Sequence, residues 1–235
     1  MKKNRKWPMR VLLLLAVAIL GVSGWLLYAD YRALRQSGEQ ADLKPEPVDG
    51  SRLLDFGALL AQYPDITGWL TIDGTVIDYP VVQAADNQYY LTHTADNQVN
   101  KLGALFMDYR CSRDFSGFNT VIYGHYLRSG AMFADLHKFK ERDYFDTHRT
   151  GTLYTPDGTW PLEIFAFVLA DSYSEFYDYA FDSPGRCQAH LDRIAAKATF
   201  YQEFVATCED RILTLSTCSY EYKTARALVI AKIVE

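Results

Sequence analysis

Cysteine is scarce in this chain: there are four in 235 residues, Cys111, Cys187, Cys208 and Cys218, and no Cys-x-x-Cys pair. That spacing excludes a dense disulfide framework and a cysteine-based zinc site. It leaves room for a single bridge among Cys111, Cys187 and Cys208. A glycine-rich phosphate loop is absent, as are internal repeats, low-complexity tracts and the acidic cluster that calcium binding demands; no cofactor or metal is expected. Positive charge is also sparse once the extreme N-terminus is set aside. Five of the 24 basic residues (Lys2, Lys3, Arg5, Lys6 and Arg10) precede residue 11, leaving 19 against 29 acidic residues and a net charge of −10. A body this acidic is a poor nucleic-acid binder, and no nucleic-acid partner is expected.

Charge is missing altogether from residues 11–28, an apolar run from Val11 to Tyr28. As a helix it would be roughly 27 Å long, against about 30 Å of bilayer hydrocarbon. Trp7, Trp25 and Tyr28 are available as interfacial anchors. The basic flank before the run and Asp30 after it predict a cytoplasmic N-terminus with the remainder outside, anchored by a single pass. A cleaved signal peptide is the competing reading. Its apolar core is usually shorter, and the nearest small-residue site, Val22-Ser23-Gly24, is unconvincing, so an uncleaved anchor is favoured. The chain thus divides into a basic tail at 1–10, a signal-anchor at 11–28, a polar stalk at 29–51 and one catalytic-sized domain at 52–235. The stalk reads as helical near 31–36 and then extended, with Pro45 and Pro47 in it.

The domain opens with an amphipathic helix predicted over 52–62, stopped by Tyr63-Pro64-Asp65. Short strands follow. Residues 68–72 and 75–79 flank Asp73-Gly74, a hairpin signal, and Pro80 is read as the end of the second strand. Further strands are expected at 104–107, 119–123, 152–155, 160–169, 212–217 and 225–234. A helical turn is read at 87–93 and a helix at 132–139. A longer helix begins at Ser183-Pro184, ends near Tyr201, and carries Leu191, Ile194, Ala195 and Ala198 on one face. About eight short strands with regular turns predict a mainly β protein, a closed or nearly closed barrel with added helices.

The most chemically pointed stretch is Thr214-Leu215-Ser216-Thr217-Cys218, followed by Arg226. Read as a hairpin, it sets a thiol and a guanidinium on neighbouring strands at one end of a sheet. Nearby positive charge favours the thiolate, and a fixed cation can hold the oxyanion formed when that thiolate attacks a carbonyl. A proton carrier is still needed. His125 follows the strand Thr120-Val121-Ile122-Tyr123 and Gly124, so it too stands at a strand end; a structural histidine is the alternative. His93 ends a helical turn, and His137, His148 and His190 read as solvated surface residues.

Val121-Ile122-Tyr123-Gly124-His125, the Cys218 pentapeptide and Arg226 resemble the three signature pieces of the sortases, membrane-anchored cysteine transpeptidases of Gram-positive bacteria. The opening helix, the run from Ile66 to Thr75 with Ile77 to Gln83, and a long helix-bearing insertion between about 171 and 209 resemble class B. The resemblance covers the chain from about residue 52 to its C-terminus. It implies an eight-stranded sortase-type β-barrel with an N-terminal helix and the insertion ahead of the cysteine strand. It further implies Cys218 as nucleophile, His125 as proton carrier and Arg226 as carbonyl and oxyanion holder. Asn87 and Leu91 match positions that contact the sorting signal and Ser216 matches a position near the bound peptide, although a helix cap, a core residue and strand alternation would explain them equally well. Tyr173, Phe176, Tyr177 and Tyr179 suit a groove wall or plain core. The implied partners are surface proteins bearing an Asn-Pro-x-Thr-type sorting signal and an amine on a peptidoglycan stem or cross-bridge. Two rival readings stay open: a cell-wall cysteine peptidase or amidase that delivers water, and a non-catalytic membrane-anchored binding module with a buried structural thiol.

Overall fold

The computed structural model describes residues 6–46, 54–127, 129–203, 205–219 and 224–235. Lys2, Lys3 and Arg5, the end of the expected stalk, the first two residues of the expected opening helix, and the turn 220–223 lie outside the described residues, as does the side chain of Trp7. The first element is a single helix, α1 (Lys6–Glu39), about 50 Å long, with the apolar 11–28 run exposed along it. Helicity was expected only near 31–36 in the following stretch. Instead α1 continues unbroken to Glu39 and is followed by a 3-10 turn, Ala41–Leu43. A short helix, α2 (Phe56–Gln62), is capped by Asp55, whose carboxylate accepts the Gly57 N–H at 2.9 Å.

Among the described residues nine strands form one sheet. They are β1 (Ile66–Ile72), β2 (Asp78–Val82), β3 (Leu105–Met107), β4 (Asn119–Tyr123), β5 (Thr150–Thr155), β6 (Gly158–Asp171), β7 (Ala198–Tyr201), β8 (Arg211–Cys218) and β9 (Ala225–Ile233). Their order is β5-β1-β2-β3-β4-β8-β9-β6, and β6 returns to β5, closing an eight-stranded barrel; β7 is an added strand on β6. Closure leaves the barrel strands without a free edge. Two neighbours are parallel, β2 with β3 and β4 with β8.

The barrel interior is filled by Leu70, Val81, Leu105, Ile122, Leu213, Leu215, Val229 and Ala231, among others. Alternate residues of β8 and β9 face outward yet are also buried: Ile212, Leu228 and Ile230 pack with Leu191 and Ile194 of helix α4 (Pro184–Lys197). Covered on both faces, β8 is buried from Ile212 to Thr217, the polar Thr214 and Ser216 included. Asn119 ties the insertion to the barrel. Its amide donates to the Phe176 and Asp178 carbonyls at 3.3 and 2.9 Å, while its oxygen accepts from Thr214 at 2.8 Å.

Several local expectations need correction. The second strand is Asp78–Val82 rather than 75–79, and Pro80 lies inside it. It is tolerated because the parallel pairing with β3 begins only at Val81, so no ladder bond to that neighbour is required of Pro80. The long helix ends at Lys197, and Ala198–Tyr201 form strand β7, a segment rich in β-formers. Ala195 is exposed, and the buried face is Cys187, His190, Leu191 and Ile194. His190 is therefore no surface residue. It sits under Phe118, Phe176 and Phe181, and burial pulls its pKa from 6.5 to about 4. The segment expected as a helix at 132–139 is a run of 3-10 turns, Phe133–Lys140, and a short helix α3 (Arg142–Thr147) follows. Cys187 in α4 is bridged to Cys208 ahead of β8, with Cα atoms 5.6 Å apart. Cys111 is a buried free thiol whose pKa burial pushes up to about 11.

Candidate active site

Parallel strands end at the same rim of a sheet, and β4 and β8 are parallel. Tyr123 pairs with Ser216, and the Gly124 N–H donates to the Ser216 carbonyl at 3.1 Å. His125, just past β4, and Cys218, at the end of β8, are therefore delivered to one rim. The antiparallel β8–β9 pair completes it by setting Arg226 directly opposite Cys218. Gly124 has no room for a side chain: a Cβ there would lie 2.4 Å from Leu105 and 2.6 Å from Phe133. Any larger residue before the histidine would push the Leu105 and Phe133 side chains out of their packing.

All six residues singled out in the sequence, Asn87, Leu91, His125, Ser216, Cys218 and Arg226, line one cleft of about 220 Å³. Cys218 is exposed in it and unbridged. The His125 Nε2 lies 3.0 Å from the Leu91 carbonyl. A carbonyl only accepts, so this bond puts a hydrogen on Nε2 and leaves Nδ1 to exchange a proton. Leu91 thus lines the cleft and also meets His125 through its main-chain carbonyl. Arg226 spends one N–H on the Ala225 carbonyl at 2.9 Å and keeps other donors. Near it, the exposed carboxylate of Asp171 is held by the Thr224 hydroxyl, the Tyr173 N–H and the field of Arg226, which together lower its pKa.

Three further residues support these groups: Asp108, which sequence reasoning missed, Tyr177, expected as groove wall or core, and His137, read as a surface residue. Asp108, fully buried, takes hydrogen bonds from Asn87 Nδ2 and the Tyr123 hydroxyl, each at 3.0 Å, and pairs with Arg110. Burial pushes its pKa up, but the Arg110, Asn87 and Tyr123 bonds outweigh that and hold the carboxyl below its usual range. The other end of the Asn87 amide accepts from the Tyr109 N–H at 3.0 Å, so its orientation is fixed by Asp108 and the Tyr109 backbone. Tyr177, one of the aromatic residues expected near the groove, reaches Ser216: its hydroxyl lies 3.0 Å from Oγ. Burial is the main influence on this tyrosine, and it pushes the pKa up to about 12, so the phenol stays neutral. The third is His137, whose Nε2 lies 2.6 Å from the Cys218 carbonyl and holds the end of β8. His137 also lines a wider neighbouring cleft of about 740 Å³ with Tyr126, Lys138 and Tyr144. No short-range sequence pattern links Asp108, Tyr177 or His137 to the thiol. Each reaches a residue of the cleft only through tertiary packing: Asp108 at Asn87, Tyr177 at Ser216 and His137 at the Cys218 carbonyl.

His93 and His148 share a local motif. Each ring stacks on a tyrosine four residues earlier and sets Nδ1 at 2.9 and 3.0 Å from that tyrosine's carbonyl. Among the described residues, no group of three or more His, Cys, Asp or Glu is placed to hold a metal ion.

A cleft holding an accessible thiol, an imidazole and a guanidinium is suited to acyl transfer through sulfur. The comparisons agree with that chemistry. The sortase domain family matches residues 70–234. Sortase B of Listeria monocytogenes is 36% identical over 172 residues, covering 72% of this chain and 70% of that protein. Sortase B of Clostridium perfringens superposes with a TM-score of 0.72 at 31% identity, covering 76% of this chain and 98% of that one. A Staphylococcus aureus sortase B–substrate complex superposes with a TM-score of 0.72 at 29% identity, covering 77% of this chain and 84% of that one. The chain belongs to the sortase family, with class B members as its relatives, and is a cysteine transpeptidase of the kind that anchors proteins to the cell wall.

Proposed function

We propose that Cys218, His125 and Arg226 carry the transpeptidation and that its donor is a C-terminal sorting signal of the Asn-Pro-x-Thr type. The Cys218 sulfur, its thiol proton passed to His125, attacks the carbonyl carbon of the threonine. The carbonyl oxygen takes the negative charge, and the Arg226 guanidinium stabilises it. As the C–N bond breaks, the imidazolium of His125 gives its proton to the leaving amine, and the acyl group remains on sulfur as a thioester. A peptidoglycan stem or cross-bridge amine then attacks the thioester. His125 takes its proton and passes it to the departing sulfur, so a new amide forms and the thiol is restored. Asn87, Leu91 and Ser216 line the cleft around the acyl chain, with Ser216 steadied by Tyr177 and Asn87 by Asp108.

The observation that carries this reading is the pairing of Cys218 with Arg226 across β8 and β9, with His125 brought to the same cleft by the parallel β4–β8 ladder. In the same reading the 11–28 part of α1 is the single membrane span. It tethers the enzyme with its N-terminus in the cytoplasm and its catalytic domain outside, where a Cys187–Cys208 bridge is stable.

The test is to incubate the enzyme with an Asn-Pro-x-Thr-type peptide and an amine acceptor and to identify products by mass spectrometry. Amide-linked product from the intact enzyme, and none from a folded Cys218→Ala variant, is expected. Product hydrolysed after threonine even with saturating amine would make the enzyme a peptidase and reject the transpeptidation step.

A further inference from the structure

The continuity of α1 bears on how the enzyme sits on the membrane. Three residues beyond the apolar run, Ala33, Ser37 and Gln40, form a buried stripe at helical spacing, while their neighbours on α1 are exposed or half-buried. The stripe docks on the loop between the 3-10 turn Tyr89–Leu91 and β3. Asn100 donates to the Ala33 carbonyl at 2.9 Å and to Gln36 Oε1 at 3.3 Å. Gln40 donates to the Gly103 carbonyl at 3.1 Å and accepts the Ala95 N–H at 2.9 Å. Lys101 pairs with Asp30.

The loop is itself tightly built. The Thr94 and Asn100 N–H groups donate within it, to Gln98 and Thr92 carbonyls at 2.9 Å each. Gly103 has a φ of +61°, and a Cβ there would fall 2.3 Å from the Tyr90 carbonyl, so both conformation and space demand glycine. These contacts join helix to domain with buried, satisfied amides, which a swinging stalk does not have.

The dimensions set the depth. Asp30 lies about 3 Å along the helix axis beyond Tyr28, and Ala33 about 7.5 Å beyond it. The headgroup layer on one side of a bilayer is roughly 5–7 Å thick. A bilayer that encloses residues 11–28 therefore brings its headgroups level with Asp30 and the Lys101 that pairs with it, and sets the Asn100–Ala33 contact at the outer edge of that layer. Val99, beside them in the chain, is an apolar residue 78% exposed, and Tyr31 on the helix is exposed at the same level. An exposed valine, a lysine and a tyrosine suit the headgroup layer.

We propose that the 94–103 loop is a second membrane-contact surface, pressed onto lipid headgroups by its docking on α1, so that the catalytic domain rests on the bilayer in one orientation. This rests on the reading of 11–28 as a membrane span. The loop starts three residues after Leu91, whose carbonyl holds His125, so the joint fixes the cleft's height and direction relative to the lipid.

The test uses the full chain in phosphatidylcholine–phosphatidylglycerol vesicles. A Cys218→Ala, Val99→Cys protein leaves the introduced thiol accessible, because Cys111 is buried and Cys187 is bridged to Cys208. A bimane at position 99 should lose most of its emission to headgroup-level spin-labelled lipid. Adding Gln40→Ala and Asn100→Ala should restore much of it. A protein that stays in carbonate-washed membranes while its position-99 label is unquenched would overturn the inference and leave the span standing. Release of the chain by carbonate would overturn the span, and the inference with it.

Discussion

The rim that bears Cys218 and the joint that bears α1 are built from opposite materials. The rim is the end of a hydrophobic ladder. Leu213, Leu215, Val229 and Ala231 fill the barrel beneath it, and the reactive groups emerge where the ladder stops. The joint has almost no apolar content; an alanine, a serine and the amides of Gln40 and Asn100 make it. Strand packing can therefore hold a rim whose own side chains are free to react, whereas a joint of amides spends its polar groups on holding. Changes at the rim should remove chemistry and spare stability, and changes at the joint should do the reverse.

The largest effect expected from a conservative change is at Arg226. Its guanidinium lies on the β9 side of the cleft with donors to spare, and one ammonium cannot reproduce that fork. Arg226→Lys should lower kcat/KM by about 10²–10³-fold, the range for losing an oxyanion donor, with the melting temperature little changed. Near-normal turnover would break the contrast by removing the oxyanion role.

A smaller, pH-dependent effect is expected in the insertion. His190 is kept neutral in the folded protein chiefly by burial and secondarily by Arg193, against a weaker opposing pull from Asp178. Its folded pKa of about 4 lies below the unfolded 6.5, so the unfolded chain binds the extra proton between those values. Stability is thus unpenalised above pH 6.5 and falls as pH drops through the window, by about 1.4 kcal/mol per pH unit at most. His190→Leu should flatten that acid limb in thermal melts taken from pH 7 to 4. An unchanged limb would place the acid sensitivity elsewhere.

The smallest effect is at the joint. Asn100→Ala strips a donor from the Ala33 carbonyl and from Gln36 and should cost about 1–2 kcal/mol, read as a lower melting temperature. Turnover on soluble peptide should fall far less than for Arg226→Lys. A matching loss of turnover would merge joint and rim into one unit.

This difference in materials also explains what the sequence made legible. The barrel followed from about eight short strands with regular turn residues, and His125, Cys218 and Arg226 each stood near a strand end. The docking stripe of α1 has no apolar periodicity, so 29–51 read as a stalk. His190 looked solvent-exposed because the aromatic rings that bury it come from elsewhere in the chain, Phe118 ahead of β4 and Phe176 and Phe181 between β6 and α4. Asp108 and His137 reach the site only after β3, β4 and β8 have closed into one sheet. Ala198–Tyr201 looked like more helix because it follows one without a break, and its pairing with β6 overrode that local signal.

The most direct measurement is the site of acylation. The intact protein, incubated with an Asn-Pro-x-Thr-type peptide and no amine, should gain the mass of the acyl part through threonine, and peptide mapping should locate it on Cys218. An adduct on Cys111, or amide-linked product formed by Cys218→Ala, would contradict the assignment of the nucleophile.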